Sequence, residues 1–250
     1  ALAALQNSGL DRVDAVYIGN MMSGSANHQQ HLGAYIADWI GMRFAEALRL
    51  EAACSSGSAA FRSAVMAVAS GQVDSVLAVG AEKMTDSPTA EITAELATAA
   101  DADWEAAQGL SFVALNSLIM RRYMHEYGWK KEDFAAFSIN AHANAVHNPY
   151  ARFHDPITAE IYAKAGMVAD PINLMDASAI GDGSAAAVVV PLEWVKTARC
   201  VPIIKVAAAS AATDSIAIDQ RFDPLWLKAA ELSSKKAYDQ AGIGPMDINV

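Results

Sequence analysis

The stretch Arg49-Leu50-Glu51-Ala52-Ala53-Cys54-Ser55-Ser56-Gly57-Ser58-Ala59-Ala60 runs a short apolar segment into a helix made of small side chains. A cysteine at that junction stands at a helix N-terminus, where free backbone N–H groups and the positive dipole end favour the thiolate. The thiolate is the form that attacks carbonyl and thioester carbon. The competing reading is a small apolar residue buried in a core helix, which free cysteines commonly are.

Working outward, Cys54 to Ser70 reads as one helix carrying Ala59, Ala60, Ala64, Ala67 and Ala69, so a neighbouring backbone can come close. Asp74 to Gly80 is apolar almost throughout, as strands covered on both faces of a parallel sheet are. Upstream, Leu2 to Ser8 reads as the end of an amphipathic helix closed by Gly9. A strand from Val13 to Ile18 follows, then a Gly/Ser/Asn/Met loop from Gly19 to Gln30. A helix from about His31 to Met42 leads to the strand before Cys54. Strands alternating with helices imply a layered, mostly parallel α/β fold.

From Ala81 to Asp176 polar and Ala-rich helices replace this alternation, which marks an inserted helical region. Leu118 to Tyr127 is a helix stopped by Gly128, and Lys131 to Val146 another, ended by Asn148-Pro149. The sheet pattern resumes at Gly183 to Val190 and Val201 to Ala209, and Pro224 to Gln240 is a final helix closed by Gly242. Ser8 to Val16 also lines up with Ala241 to Asn249: a helix end, a Gly cap, a turn, an Asp and an apolar strand. A duplicated unit is expected on that match. Its first copy lacks the preceding strand and its second stops at Val250, so the chain reads as cut at both ends.

The 250 residues are 53% hydrophobic, enough for a large core or two domains. Eighteen Lys and Arg against 28 Asp and Glu give a net charge of −10, and Lys130-Lys131 and Lys235-Lys236 are isolated pairs. Nucleic acid is therefore excluded as the main partner, because phosphate binding needs clustered basic residues. No run approaches the roughly 18 apolar residues of a membrane span, so none is expected, and the first residues show no basic segment followed by an apolar one, so no secretory signal is expected. Two cysteines, Cys54 and Cys200, are too few for a disulfide framework, so a reduced, cytoplasmic setting is expected.

Three stretches together resemble the thiolase family: Glu51-Ala-Ala-Cys54-Ser-Ser-Gly57, Leu77-Ala-Val-Gly-Ala-Glu-Lys-Met84 and Ile180-Gly-Asp-Gly-Ser-Ala-Ala-Ala-Val-Val-Val190. Three more, Arg122 to Gly128, Ala141 to Pro149 and Asp170-Pro171-Ile172, are similar to its archaeal acetoacetyl-CoA and sterol-carrier-protein-type members. The ordered resemblance covers the whole chain. It implies two βαβαβ halves in an αβαβα layering, with a helical loop domain inserted in the first half. On that scheme residues 1–198 form the N-terminal half, with the insertion at about 81–176. Residues 199–250 begin the C-terminal half.

The resemblance also implies a Claisen condensation or its reverse. Cys54 takes an acyl group from acyl-CoA, and a CoA-thioester carbanion attacks that acyl. The backbone N–H of Cys54 is one implied donor to the acyl oxyanion. No resident cofactor is implied, because the coenzyme A thioester enters as substrate. The insertion covers the pantetheine arm in the family, which makes Phe112, Ala114 and Met120 candidates for an apolar tunnel wall. Ordinary helix core is the competing reading for each. The family's further His, Asn and second Cys motifs have no match before Val250, so these 250 residues alone are expected to lack turnover.

Implied partners are the acyl-CoA substrate, a second copy (homodimer or dimer of dimers) packing through the Met21 to Asn27 loop, and a subunit of an acyl-CoA channelling complex. Cys200 has no His or Gly context and reads as structural. His28 with His31 and His142 with His147 lack the further ligands a metal needs. Asp182 reads as a turn residue capping backbone N–H groups. Two alternatives to a thiolase remain. One is a ketoacyl synthase-like condensing enzyme; the other is a non-catalytic acyl-CoA- or lipid-binding or scaffold homologue.

Overall fold

The computed structural model describes residues 1–195 and 203–249. Cys200, Val201, Pro202, Val250 and the expected division between residues 198 and 199 lie outside the described residues. In chain order the strands are β1 (Ala15–Gly19), β2 (Glu46–Leu50), β3 (Val76–Glu82), β4 (Met167–Ala169), β5 (Ile172–Asn173) and β6 (Gly183–Val189). The α-helices are α1 (Leu2–Ser8), α2 (Leu32–Trp39), α3 (Ser56–Ala69), α4 (Thr89–Ala97), α5 (Phe112–Tyr127), α6 (Ala135–Ala145), α7 (Ala159–Lys164), α8 (Leu192–Val195) and α9 (Lys228–Ala241). Two compact units result: residues 1–87, 182–213 and 228–250, and residues 88–181 with 214–227.

In the first unit the sheet order is β2-β1-β3-β6. Side chains of β1 and β3 alternate between two buried faces. Ala15, Tyr17, Val76 and Ala78 pack with Ala60 and Ala64 of α3. Val16, Ile18, Leu77 and Val79 pack with Leu5 of α1 and Ala37 of α2. Each large apolar side chain buried this way contributes about 1.5–3 kcal/mol.

β1 is parallel to β2 and β3, as expected, but β6 is antiparallel to β3. The register explains the difference. Glu82, where the chain leaves the sheet, is paired with Gly183, where it re-enters. The excursion therefore enters and exits at neighbouring points, and the returning strand runs back like the second arm of a hairpin.

The main segment of the second unit is residues 88–181, and β3 runs on to Glu82. The unit also takes in residues 214–227, where the Ile218 N–H donates to Glu105 Oε1 at 2.8 Å. At its centre Tyr162, 2% exposed, donates its hydroxyl to Asp176 Oδ1 at 2.8 Å. Asp176 Oδ2 accepts the Asn173 N–H at 3.0 Å. Burial, and then the bond to Asp176, push the Tyr162 hydroxyl pKa up.

Several expected elements change. Residues 203–209 form no strand, and Ile204 is 83% exposed. An extended segment becomes a strand only beside a hydrogen-bonded neighbour, and none of the described residues supplies one. The two aligned copies share their caps, Gly9 at φ 72° and Gly242 at φ 69°, then diverge. Asp14 Oδ2 accepts the Asp74 and Ser75 N–H groups and joins β1 to β3, whereas Asp247 Oδ2 accepts the Gly244 N–H within its own 3-10 turn. No strand follows at Ile248. Among the described residues after 203, α9 and its Gly242 cap form without any sheet.

Boundaries also move. α5 begins at Phe112 instead of Leu118, because the Ser111 hydroxyl caps it by accepting the Ala114 N–H. Lys131–Phe134 is a 3-10 turn ahead of α6. α9 starts at Lys228, after Asp223 holds the preceding turn through the Leu225 N–H. Among the described residues no helix is long and apolar enough to cross a membrane.

Candidate active site

Cys54 lies in a turn between β2 and α3 that is built from short-range hydrogen bonds. Ser56, 4% exposed, donates its hydroxyl to Ala53 O at 2.6 Å and accepts the Ala52 N–H at 2.9 Å. Glu51 Oε1 accepts the Ala53 N–H at 2.5 Å. These bonds hold Ala53 at φ 48°, a left-handed conformation that costs a non-glycine residue about 1–2 kcal/mol. The turn throws the next residue outward: Cys54 is exposed and free. The buried-core reading of this cysteine is overturned.

The helix starts two residues later than expected. Ser55 is its N-cap, its side chain makes no capping bond, and Cys54 stands just ahead of it. Cys54 is therefore presented at the positive end of α3 rather than inside it.

What seats the helix end is glycine. A Cβ on Gly19, the last residue of β1, would stand 2.2 Å from Ser56 O and 2.5 Å from the Gly57 Cα. On the β3 side, a Cβ on Gly80 would stand 3.4 Å from the Gly57 Cα. The first turn of α3 thus rests directly on the backbone of the central strands. Of the alanines marked in the sequence, Ala60 and Ala64 are fully buried further along the helix, whereas Ala69 is exposed.

Beside this turn, the loop leaving β1 is gripped by a set of residues that sequence reasoning missed. Glu82 Oε1 accepts Asn20 Nδ2 at 2.8 Å and the Met22 N–H at 3.2 Å, and its Oε2 accepts the Met21 N–H at 2.9 Å. Arg49 donates to Asn20 O at 3.2 Å, Met21 O at 3.1 Å and Ser23 Oγ at 3.1 Å. Asn20 is 3% exposed. The sequence signal was a Glu closing the buried strand β3, where a charge needs partners; Arg49 lies in the half-exposed strand β2.

The other candidates fall in the second unit or elsewhere. Phe112, Ala114 and Met120 all lie on α5. At about 100° per residue, Met120 stands roughly 80° from Phe112 and Ala114 roughly 200°, so the three share no single wall. Phe112 is 40% exposed. A cleft of about 370 Å³ in the second unit is lined by Arg122, Glu126, Tyr127 and Phe222–Leu225, and by none of those three.

Asp182 accepts the Met84 and Thr85 N–H groups at 2.7 and 3.0 Å and the Thr85 hydroxyl at 2.6 Å, so it holds a distant backbone segment instead of capping its own turn. The Thr85 hydroxyl first, then the two N–H groups, hold its carboxyl below the usual carboxylate value. His28 and His31 sit at φ 54° and 57° in the Met-rich loop region, and His142 Nδ1 lies 3.0 Å from Asp155 O. Among the described residues no three His, Cys, Asp or Glu side chains converge on a metal position.

Comparison with known proteins adds the following. Residues 2–193 match the family described as thiolase, N-terminal domain. The chain is 39% identical, over 100% of its length, to an acetyl-CoA acetyltransferase of Methanothermobacter thermautotrophicus, and it spans 65% of that protein. It is 39% identical to the same-named protein of Methanocaldococcus jannaschii, covering 99% of this chain and 63% of the relative. It is 32% identical to benzoylsuccinyl-CoA thiolase subunit BbsB of Thauera aromatica, over all of this chain and 64% of the relative. The chain thus spans just under two thirds of these relatives. A solved aldolase chain described as Ltp2-ChsH2(DUF35) shares the fold, with a TM-score of 0.75 at 24% identity over 99% of this chain and 64% of that one.

Proposed function

The chain belongs to the thiolase family, and from that premise we propose that it carries the acyl-accepting step of an acetyl-CoA acetyltransferase-type thiolase. The observation that carries the reading is the exposed Cys54, held out by a strained turn at the open N-terminal end of α3. A purely structural cysteine needs none of that apparatus.

In the proposed step the Cys54 thiolate adds to the thioester carbonyl carbon of acetyl-CoA. The oxyanion accepts a hydrogen bond from the Cys54 N–H. The bond from carbon to the coenzyme A sulfur then breaks, coenzyme A leaves as its thiolate, and Cys54 is left S-acetylated. In the second step the α-carbanion of another acetyl-CoA attacks the acetyl carbon. Acetoacetyl-CoA forms and the Cys54 thiolate is released. The reverse sequence cleaves acetoacetyl-CoA. The same reading brings with it a homodimer or dimer of dimers, a subunit of an acyl-CoA channelling complex as partner, and a cytoplasmic setting.

Intact-protein mass spectrometry after incubation with acetyl-CoA tests it. A thioester-linked acetyl adduct on the parent, lost in Cys54→Ser, is expected. A parent that takes no acetyl group overturns the acyl-cysteine mechanism and favours the binding or scaffold reading.

A further inference from the structure

Asn20, Arg49 and Glu82 meet at one rim of the sheet, within the first unit, and the proposed mechanism uses none of them. Glu82 takes donors of the Asn20–Ser23 loop, and Arg49 takes its acceptors. An ionised carboxylate only accepts and a guanidinium only donates, so neither can exchange roles with the other. Asn20 completes the grip from inside the loop, donating Nδ2 to Ala81 O at 2.9 Å and accepting the Ser23 N–H at 2.9 Å.

This grip shares its supports with the Cys54 turn. The Asn20 N–H donates to Leu50 O at 3.2 Å, at the end of the strand that leads into the turn. Arg49 is the residue before Leu50. Gly19, directly preceding Asn20, is the residue on which Ser56 and Gly57 rest. A shift of the loop root therefore moves both the end of β2 and the seat of α3, the two anchors of the turn.

We propose that Glu82, Asn20 and Arg49 are positioning residues that lock the Asn20–Ser23 loop to the end of β2 and so set the direction in which the turn presents the Cys54 thiol and N–H. The inference rests on the reading of Cys54 as the acylated residue. None of the three touches the reacting atoms; they act through the turn.

The test uses Glu82→Gln and Arg49→Lys. The glutamine sets an amide N–H against a loop donor, and the lysine replaces a planar fork by a point charge. In folded protein, two rates are measured at Cys54: acetyl transfer from acetyl-CoA and alkylation by iodoacetamide. Hydrogen exchange of residues 51–57 is followed in parallel.

Acetyl transfer is expected to fall about tenfold or more, because small misplacements of reacting groups cost that much, while alkylation stays within about twofold. Exchange at 51–57 is expected to quicken together with that at 20–23. A merely structural role would lower both rates in proportion to the unfolded fraction. Either a parent-like ratio of the two rates or parent-like exchange at 51–57 overturns the proposal. If both variants fail to fold, Ser23→Ala, which removes one Arg49 contact, decides by the same readouts. If the parent itself is not acetylated, the function reading falls, and exchange at 51–57 still decides the clamp.

Discussion

At the scale of single residues, the Cys54 turn depends on one hydroxyl. Ser56 serves a donor and an acceptor while 4% exposed. Ser56→Ala removes the acceptor of the Ala52 N–H, while Ala53 O keeps the Ser56 N–H, and should cost about 0.5–1.5 kcal/mol, read from urea unfolding. Tyr17 supplies a pH signature. Burial first, then its hydrogen bond to Glu46, push its hydroxyl up to about 12 from 10.0. A pKa raised on folding means that the folded state holds the proton more tightly. That stabilisation is complete below the unfolded value of 10.0 and is lost as pH rises through about 12. Thermal melts across that range should fall more steeply for the parent than for Tyr17→Phe. At this scale Cys54 was legible because a nucleophile beside a helix start is a local pattern. Glu82, Arg49 and Asn20 were not, because apart from the local Asn20–Ser23 bond their partners lie 26 to 62 positions away in the chain.

At the scale of elements, the contact between α3 and the sheet separates two glycines that look alike in sequence. A Cβ on Gly19 collides with the backbone of Ser56 and Gly57, which cannot move without dragging the helix start. A Cβ on Gly80 meets only ordinary contact at 3.4 Å. Gly19→Ala should therefore cost about 1–3 kcal/mol or more, as overpacking does, and Gly80→Ala markedly less. Equal melting temperatures for the two variants would contradict the packing described here. The strands β1 and β3 and the helices that cover them were readable from period and punctuation. The direction of β6 was not, because Gly183 to Val190 reads the same forwards or backwards until its partner is known.

At the scale of the whole molecule, half the expected chemistry has no assigned residue. The proposed acyl acceptor is Cys54, whereas the motifs that the family resemblance implies for proton transfer have no match in these 250 residues. A polypeptide of this length should therefore release no more than one equivalent of coenzyme A per Cys54, measured by thiol titration; sustained release would show that the base lies within it. Sequence alone determined the α/β class and the family, because both are written in contiguous residues or in their order. Tertiary structure alone decided that Cys54 is exposed on a strained turn and that glycine backbone seats the first turn of its helix, ahead of the alanines that pack further along. It also decided that residues 203–209 form no strand and that an acid–base pair grips the neighbouring loop. Those properties belong to pairs of segments far apart in the chain, and hydrogen bonding and close packing act on distance in space.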